Sequence, residues 1–114
     1  MTIYGVSQSS GVERRLTVET GGSGVVLAII DHAGGVERER ITVLPDGLMA
    51  TLTDPVPGGS TIEGAAPTGG GMKLLDVEVR RNEVLLRARG ESGDGWDVAV
   101  GLDDFQDALE KAVG

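Results

Sequence analysis

The 114-residue chain has no cysteine, and only one each of His, Trp, Tyr and Phe. Without thiols it can form no disulfide, no thiolate metal centre and no cysteine nucleophile. The single histidine, His32, lies between Asp31 and a glycine-rich stretch with no nucleophile or second base beside it, so it reads as a turn residue rather than half of a catalytic dyad. No EF-hand pattern, phosphate-binding Walker loop or zinc-ligand spacing is present. The longest apolar run, Val25–Ile30, falls far short of the ~20 residues of a membrane-spanning helix. No basic stretch followed by an apolar one marks a secretory leader, so the expected location is cytoplasmic. These absences argue for a protein that is not an enzyme, has no cofactor and no metal, and does not insert in a membrane.

Positive charge is also scarce. Ten Lys and Arg face eighteen Asp and Glu, for a net charge of −8. That balance favours solubility and opposes loose attraction to nucleic acid. Aromatics make up 3% of the chain, so a core must be built from Val, Leu and Ile. Glycine is abundant, at 19 residues, which suits short strands joined by tight turns.

The order of residues carries more than their totals. Shifted by 59 positions, Thr2, Ile3 and Gly5 fall on Thr61, Ile62 and Gly64, and Gly11 falls on Gly70. Leu16, Val18 and Glu19 fall on Leu75, Val77 and Glu78, Val25 and Leu27 on Val84 and Leu86, and Gly34 on Gly93. Beyond Gly34 the shift shortens to 57, which matches Ile41 and Val43 with Val98 and Val100, and Leu48 and Leu52 with Phe105 and Leu109. Internal similarity that survives a change in one loop is the signature of a repeat.

Each copy reads as a short extended piece, then three alternating strands, then a helix. The extended pieces are TIYGV and TIEGA. The strands are ERRLTVET, GVVLAIID and ERERITVL in the first copy, and MKLLDVEV, EVLLRARG and GWDVAVG in the second. Alternation assigns Leu16/Val18, Val25/Leu27/Ile29, Ile41/Val43, Leu75/Val77/Val79, Val84/Leu86/Ala88 and Trp96/Val98/Val100 to the buried face. Turn signals separate the strands at Gly21–Gly24, Ala33–Gly35, Arg81–Asn82 and Gly93–Gly95. Phe105, Ala108, Leu109 and Ala112 form one apolar face of a C-terminal helix, with Asp103 and Asp104 in its first turn and Lys111 in its last. The first helix is shorter, opening at Pro45 and stopped by Pro55. The expected fold class is therefore α+β: two tandem ββββα repeats forming one pseudo-two-fold domain, mostly antiparallel sheet with one short helix per repeat. Repeat 1 covers 1–54, repeat 2 covers 60–114, and 55–59 connects them. One copy alone would bury too little apolar surface to be stable, so the two are expected to share a core.

In its order of elements the chain resembles the tandem ββββα arrangement of PUR-type repeats and the related Whirly-type fold, in which helices and curved sheets of two units interlock. The resemblance covers the whole chain as topology, with no sequence motif behind it. It implies single-stranded nucleic-acid binding on the sheet surface. The acidic charge and the shortage of aromatic stacking platforms depart from that pattern.

The outward positions of the strands supply the candidate surface. Arg15, Arg38, Arg40, Arg80, Arg87 and Arg89 lie opposite the apolar set, where they could grip phosphate or an acidic partner. Glu19, Asp76, Glu78 and Asp97 share those faces and could instead neutralise them across strands. Val26, Ile30 and Leu85, with Ala28, add apolar patches suited to a protein partner or self-association, unless their strands are covered on both sides. The acidic side chains Asp103, Asp104, Asp107 and Glu110 read as the solvated face of the last helix, and Gly90–Gly95 as a hairpin turn rather than a phosphate loop. The expected function is that of a small non-catalytic binding or assembly protein using its outer sheet face against another protein. The alternative is a single-stranded nucleic-acid-binding regulatory protein.

Overall fold

Ten elements follow in the order β1 (Thr2–Val6), β2 (Glu13–Thr20), β3 (Val25–Asp31), β4 (Glu37–Val43), α1 (Pro45–Thr53), β5 (Ser60–Ala65), β6 (Met72–Val79), β7 (Glu83–Arg89), β8 (Gly95–Gly101) and α2 (Leu102–Val113). They come from a computed structural model that describes residues 1–22, 24–66, 71–90 and 95–113. Every strand lies within one residue of its sequence expectation. The expected turns at Gly21–Gly24 and Gly90–Gly95, and the glycine run at Gly69–Gly71, fall partly outside the described residues.

Consecutive strands pair antiparallel, and β8 returns to β1, so the eight close into a barrel. Closure removes the free edges at which sheets aggregate. An eight-stranded barrel has an interior just wide enough to be filled by side chains, and the alternating aliphatic positions fill it. Leu16, Val18, Val25, Leu27, Ile29, Ile41 and Val43 from β2–β4 are buried, as are Leu75, Val77, Val84, Leu86, Ala88, Val98 and Val100 from β6–β8. Val79 and Trp96 pack against this core but stay partly open to solvent. At about 1.5–3 kcal/mol per buried aliphatic side chain, this shared interior is the main stabilising force.

Both helices follow even-numbered strands, so an up-and-down barrel launches them from the same end. There they touch each other and close the interior. Leu48 and Leu52 of α1 and Phe105, Ala108 and Leu109 of α2 join the core. Asp54 ends α1 by donating its N–H to the Ala50 carbonyl, and Pro55 prevents continuation. Thr20 at the end of β2 donates its hydroxyl to the Ala112 carbonyl at 2.7 Å, pinning α2 across the barrel mouth.

Two seams are thinner than the rest. β1 meets β8 at one paired position, Val6 with Ala99, and β4 meets β5 at one, Thr42 with Ala65. Each seam has a glycine where the backbones come closest. A Cβ on Gly5 would stand 2.2 Å from the Ala99 oxygen, and one on Gly64 would stand 2.6 Å from the Thr42 oxygen. A side chain at either position would force the seam apart.

Candidate functional site

Polar side chains concentrate at the end of the barrel opposite the helices. Arg14 continues the inward row of Leu16 and Val18, and Asp31 continues that of Leu27 and Ile29. The two sit opposite each other in the β2/β3 register, both buried. Arg14 Nε donates to Asp31 at 3.1 Å. Its Nη1 crosses the β1/β8 seam to the Asp97 carbonyl at 2.8 Å and the Asp97 carboxylate at 3.3 Å. A second cation reaches the same acid: Arg38 Nε donates to Asp31 Oδ2 at 2.7 Å. The guanidinium groups of Arg14 and Arg38 lie 5.3 and 4.9 Å from the centre of the Trp96 ring, contacts that favour a cation over an aromatic face. The Asp31 carboxyl is held below its ordinary range, first by the Arg38 hydrogen bond and then by Arg14, against the opposing effect of burial.

Asp97 is wrapped by the segment that follows β1. Ser7 and Ser9 each donate a hydroxyl to Oδ1 at 2.7 Å, and the Gln8 and Ser9 amides donate to Oδ2 at 2.9 and 3.2 Å. Burial pushes this carboxyl up, but the four donors outweigh it and its pKa is lowered. Lys73 of β6 pairs with Glu39 of β4 across the other seam. Buried or partly buried charges thus bridge both seams.

The six arginines expected on the outer faces do not converge. Arg38 stays exposed but departs from the expected row. A register shift at Ile29/Ile30 places an extra residue in β4, and Arg38 turns onto Asp31 and Trp96 instead of joining the outer row. Arg40 pairs with Glu37, and Arg80 with Glu78. Arg89 makes two bonds to Asp76, at 2.8 and 3.2 Å. Arg87 lies opposite Asp97 in the β7/β8 register, its guanidinium over Gly95, where a Cβ would come within 2.5 Å of Nε. Among the described residues Arg15 has no carboxylate partner, and its Nε is buried without a hydrogen bond.

The outer face of β5–β8 carries a groove of about 520 Å³, lined by Thr61, Asp76, Glu78, Leu85, Arg87 and Asp97 among others. The Gly58–Gly59 connector, with φ of 84° and 99°, forms one bank, and Ser9 belongs to the other. Leu85 is half-buried. Asp76 is drawn below its ordinary pKa: burial acts to raise it, but the hydrogen bonds from Arg89 and Thr61 and the charges of Arg89 and Arg87 prevail. The groove thus offers an aliphatic patch framed by charges already fixed in pairs. Val26 and Ile30 sit elsewhere, on the outer face of β3 and half-buried; Ala28 between them is fully covered. His32 is exposed, its ring edge-on to Tyr4 at 5.6 Å. Among the described residues no group of three or more His, Asp or Glu side chains is arranged to hold a metal ion, and no helix is long and apolar enough to cross a membrane.

Sequence reasoning missed the Arg14–Asp31–Asp97 cluster, although parity contained the signal: Arg14 and Asp31 each extend an apolar inward row by one step. The Arg38 bulge left no comparable trace. No protein-family model matches the chain, and no curated protein or solved structure matches it significantly.

Proposed function

We propose that the protein is a non-catalytic binding module that docks another protein on the outer face of β5–β8. The observation that carries this reading is the groove itself: Leu85 lines it together with Asp76 and Glu78, whose charges are already met by Arg89 and Arg80. A protein partner gains from burying an aliphatic patch inside a polar rim, which is the usual anatomy of such an interface. The alternative, single-stranded nucleic acid, needs free cations and stacking platforms. The pairing of Arg38, Arg40, Arg80 and Arg89 with carboxylates weighs against it. Two measurements test the choice. A labelled single-stranded oligonucleotide should show no binding at low salt; micromolar binding that weakens steeply with salt would overturn the proposal. Partners captured by the wild-type protein should be lost from Leu85→Glu, which leaves the core untouched; a partner retained equally by both variants rules out this groove.

We also propose that the barrel arose by duplication, with 1–54 and 60–114 as copies of one ββββα unit in a single domain. Agreement in register supports this. Thr2 pairs with Thr17 as Thr61 pairs with Asp76, and Leu27 pairs with Ile41 as Leu86 pairs with Val98. The thin seams match as well: Val6 and Ala65 are 59 apart, and Thr42 and Ala99 are 57 apart. Gly5 and Gly64 fall at matching close approaches. Arg14 and Lys73, again 59 apart, both send a cation to an acid on the far side of a seam. On this reading fragment 1–54 lacks half of its core. A cooperative thermal transition from that fragment as a monomer would contradict it.

A further inference from the structure

The other half of the barrel carries a cation that has no acid partner among the described residues. Arg15 lies on the outer face of β2, opposite Tyr4 on one side and Ile30 on the other. Arg14, Arg38 and Arg40 each have a carboxylate within hydrogen-bonding distance. Among the described residues Arg15 has none, and its Nε is the only buried side-chain nitrogen or oxygen there that lacks a hydrogen-bond partner. A guanidinium left in this state gives up interaction energy that an acceptor would restore.

Its surroundings suit an incoming oxyanion. The Gly34–Gly35 turn, at φ of 79° and 66°, runs against the guanidinium: a Cβ on Gly35 would be 3.3 Å from Arg15 Nη2. Both glycines are exposed, so bare backbone lets a ligand approach closely. Tyr4 is 65% exposed and brings a phenolic hydroxyl. His32, packed edge-on against it, brings a ring nitrogen. Five residues from β1, β2 and the β3–β4 turn thus lie close together, and among the described residues none of the carboxylates pairs with Arg15.

We propose that Arg15, Tyr4, His32 and the Gly34–Gly35 turn form a binding site for a carboxylate presented by an acidic side chain of a partner protein. One free guanidinium matches one negative charge, and its planar fork matches the two carboxylate oxygens. A phosphate dianion fits worse, because the nearby cations are already committed and Glu13 lies on the same face of β2, two residues away. The site is separate from the β5–β8 groove and does not depend on it.

The test is a titration of the intact protein with sodium acetate against sodium chloride at fixed ionic strength, with inorganic phosphate as a second arm. Nitrogen-15 NMR reads the Arg15 Nε–H and the Gly34, Gly35 and His32 amides. Acetate should shift these signals and saturate on the order of tens of millimolar, the range of a single charge-assisted fork. Arg15→Gln should abolish the response, Arg15→Lys should weaken it at least about fivefold because the fork is lost, and Arg40→Gln should leave it unchanged. Shifts that do not saturate, that chloride reproduces, or that persist in Arg15→Gln overturn the site. Tighter saturation by phosphate than by acetate overturns the carboxylate assignment.

Discussion

Replacing Gly5 by alanine tests whether the β1/β8 seam closes as described. The added Cβ would lie 2.2 Å from the Ala99 oxygen, 2.9 Å from a Val100 methyl and 3.0 Å from a Val98 methyl. The methyls could adjust, but the nearest atom is backbone and cannot rotate away. β1 must therefore retreat by about 1 Å, which over-packs the neighbours at a cost of about 1–3 kcal/mol. It also weakens the ladder at Val6/Ala99, the only paired position of this seam, at about 1 kcal/mol per hydrogen bond. Alanine recovers roughly 0.5–1 kcal/mol by restricting the unfolded chain. The net loss is about 3 kcal/mol. For a domain of this size that lowers the melting temperature by about 12 °C. Gly64→Ala meets the Thr42 oxygen at 2.6 Å and the movable Ile41 side chain at 2.8 Å, so its loss should be smaller, about 2 kcal/mol. Gly22, with no atom near its would-be Cβ, is the control, and Gly22→Ala should change stability by less than about 0.5 kcal/mol. Thermal melts followed by circular dichroism give all three. A Gly5→Ala protein melting within about 3 °C of wild type would refute the close approach at this seam.

Other substitutions probe the remaining forces. Gly47 lies inside α1 with its would-be Cβ a comfortable 4.0 Å from Ile62, so Gly47→Ala should stabilise by about 0.5–1 kcal/mol in a chemical-denaturation series. Arg14→Met leaves Asp97 without its cation and Asp31 with Arg38 alone; a loss of about 3 kcal/mol is expected, and a neutral effect would show that the buried cluster holds nothing together. Asp31, Asp76 and Asp97 all have pKa values lowered from 3.8. Their contribution is therefore complete above the unfolded value and is lost as pH falls through the folded values. Melting temperature should be flat between pH 7 and about 5 and drop below about pH 4; a profile that stays level to pH 2 would contradict these pairings. Arg15→Met should raise stability by about 1 kcal/mol, because it removes the buried unpaired Nε, while destroying the acetate response. A variant both less stable and unresponsive would mean that Arg15 is structural.

Much of the barrel follows from local pattern. Leu16/Val18, Val25/Leu27/Ile29 and Leu75/Val77 alternate without interruption, and strict alternation leaves one way to put an aliphatic row inside. The α2 face was equally legible, since Phe105, Ala108 and Leu109 recur at helical spacing and nothing competes with burying them. The charged cluster was harder. Arg14 and Asp31 occupy inward positions, but parity alone does not say that a buried charge will be paired, and their other partner, Asp97, arrives from 83 residues away. Arg38 was unreadable for a different reason: a one-residue bulge reverses the face of a side chain without changing the sequence pattern around it. The β5–β8 groove depends on where the Gly58–Gly59 connector and the Ser9 loop come to lie on either side of a strand face, which no single strand encodes.

The two halves agree where the core is concerned and differ where solvent begins. Fifty-nine positions apart, inward Leu16, Val18, Val25 and Leu27 recur as Leu75, Val77, Val84 and Leu86. On the outer face Arg15 faces Leu74 across the same offset, Thr17 faces Asp76, and Ala28 faces Arg87; at the shorter offset Arg40 faces Asp97. Each of these outward pairs changes charge or polarity. Packing constrains the first set, because a volume change inside a filled barrel costs stability. Outward side chains carry little of that constraint, so on the proposed duplication they are free to diverge. Had both faces served one repetitive ligand, their chemistry would be expected to match. Instead Arg80 and Arg89 pair with acids of β6 near Leu85, while Arg15, opposite Tyr4 in the β1/β2 register, has no acid partner among the described residues. That asymmetry is what the two proposed contacts, a groove for a protein partner and an oxyanion site, would require. A partner that spans both would lose part of its affinity to Leu85→Glu and part to Arg15→Gln.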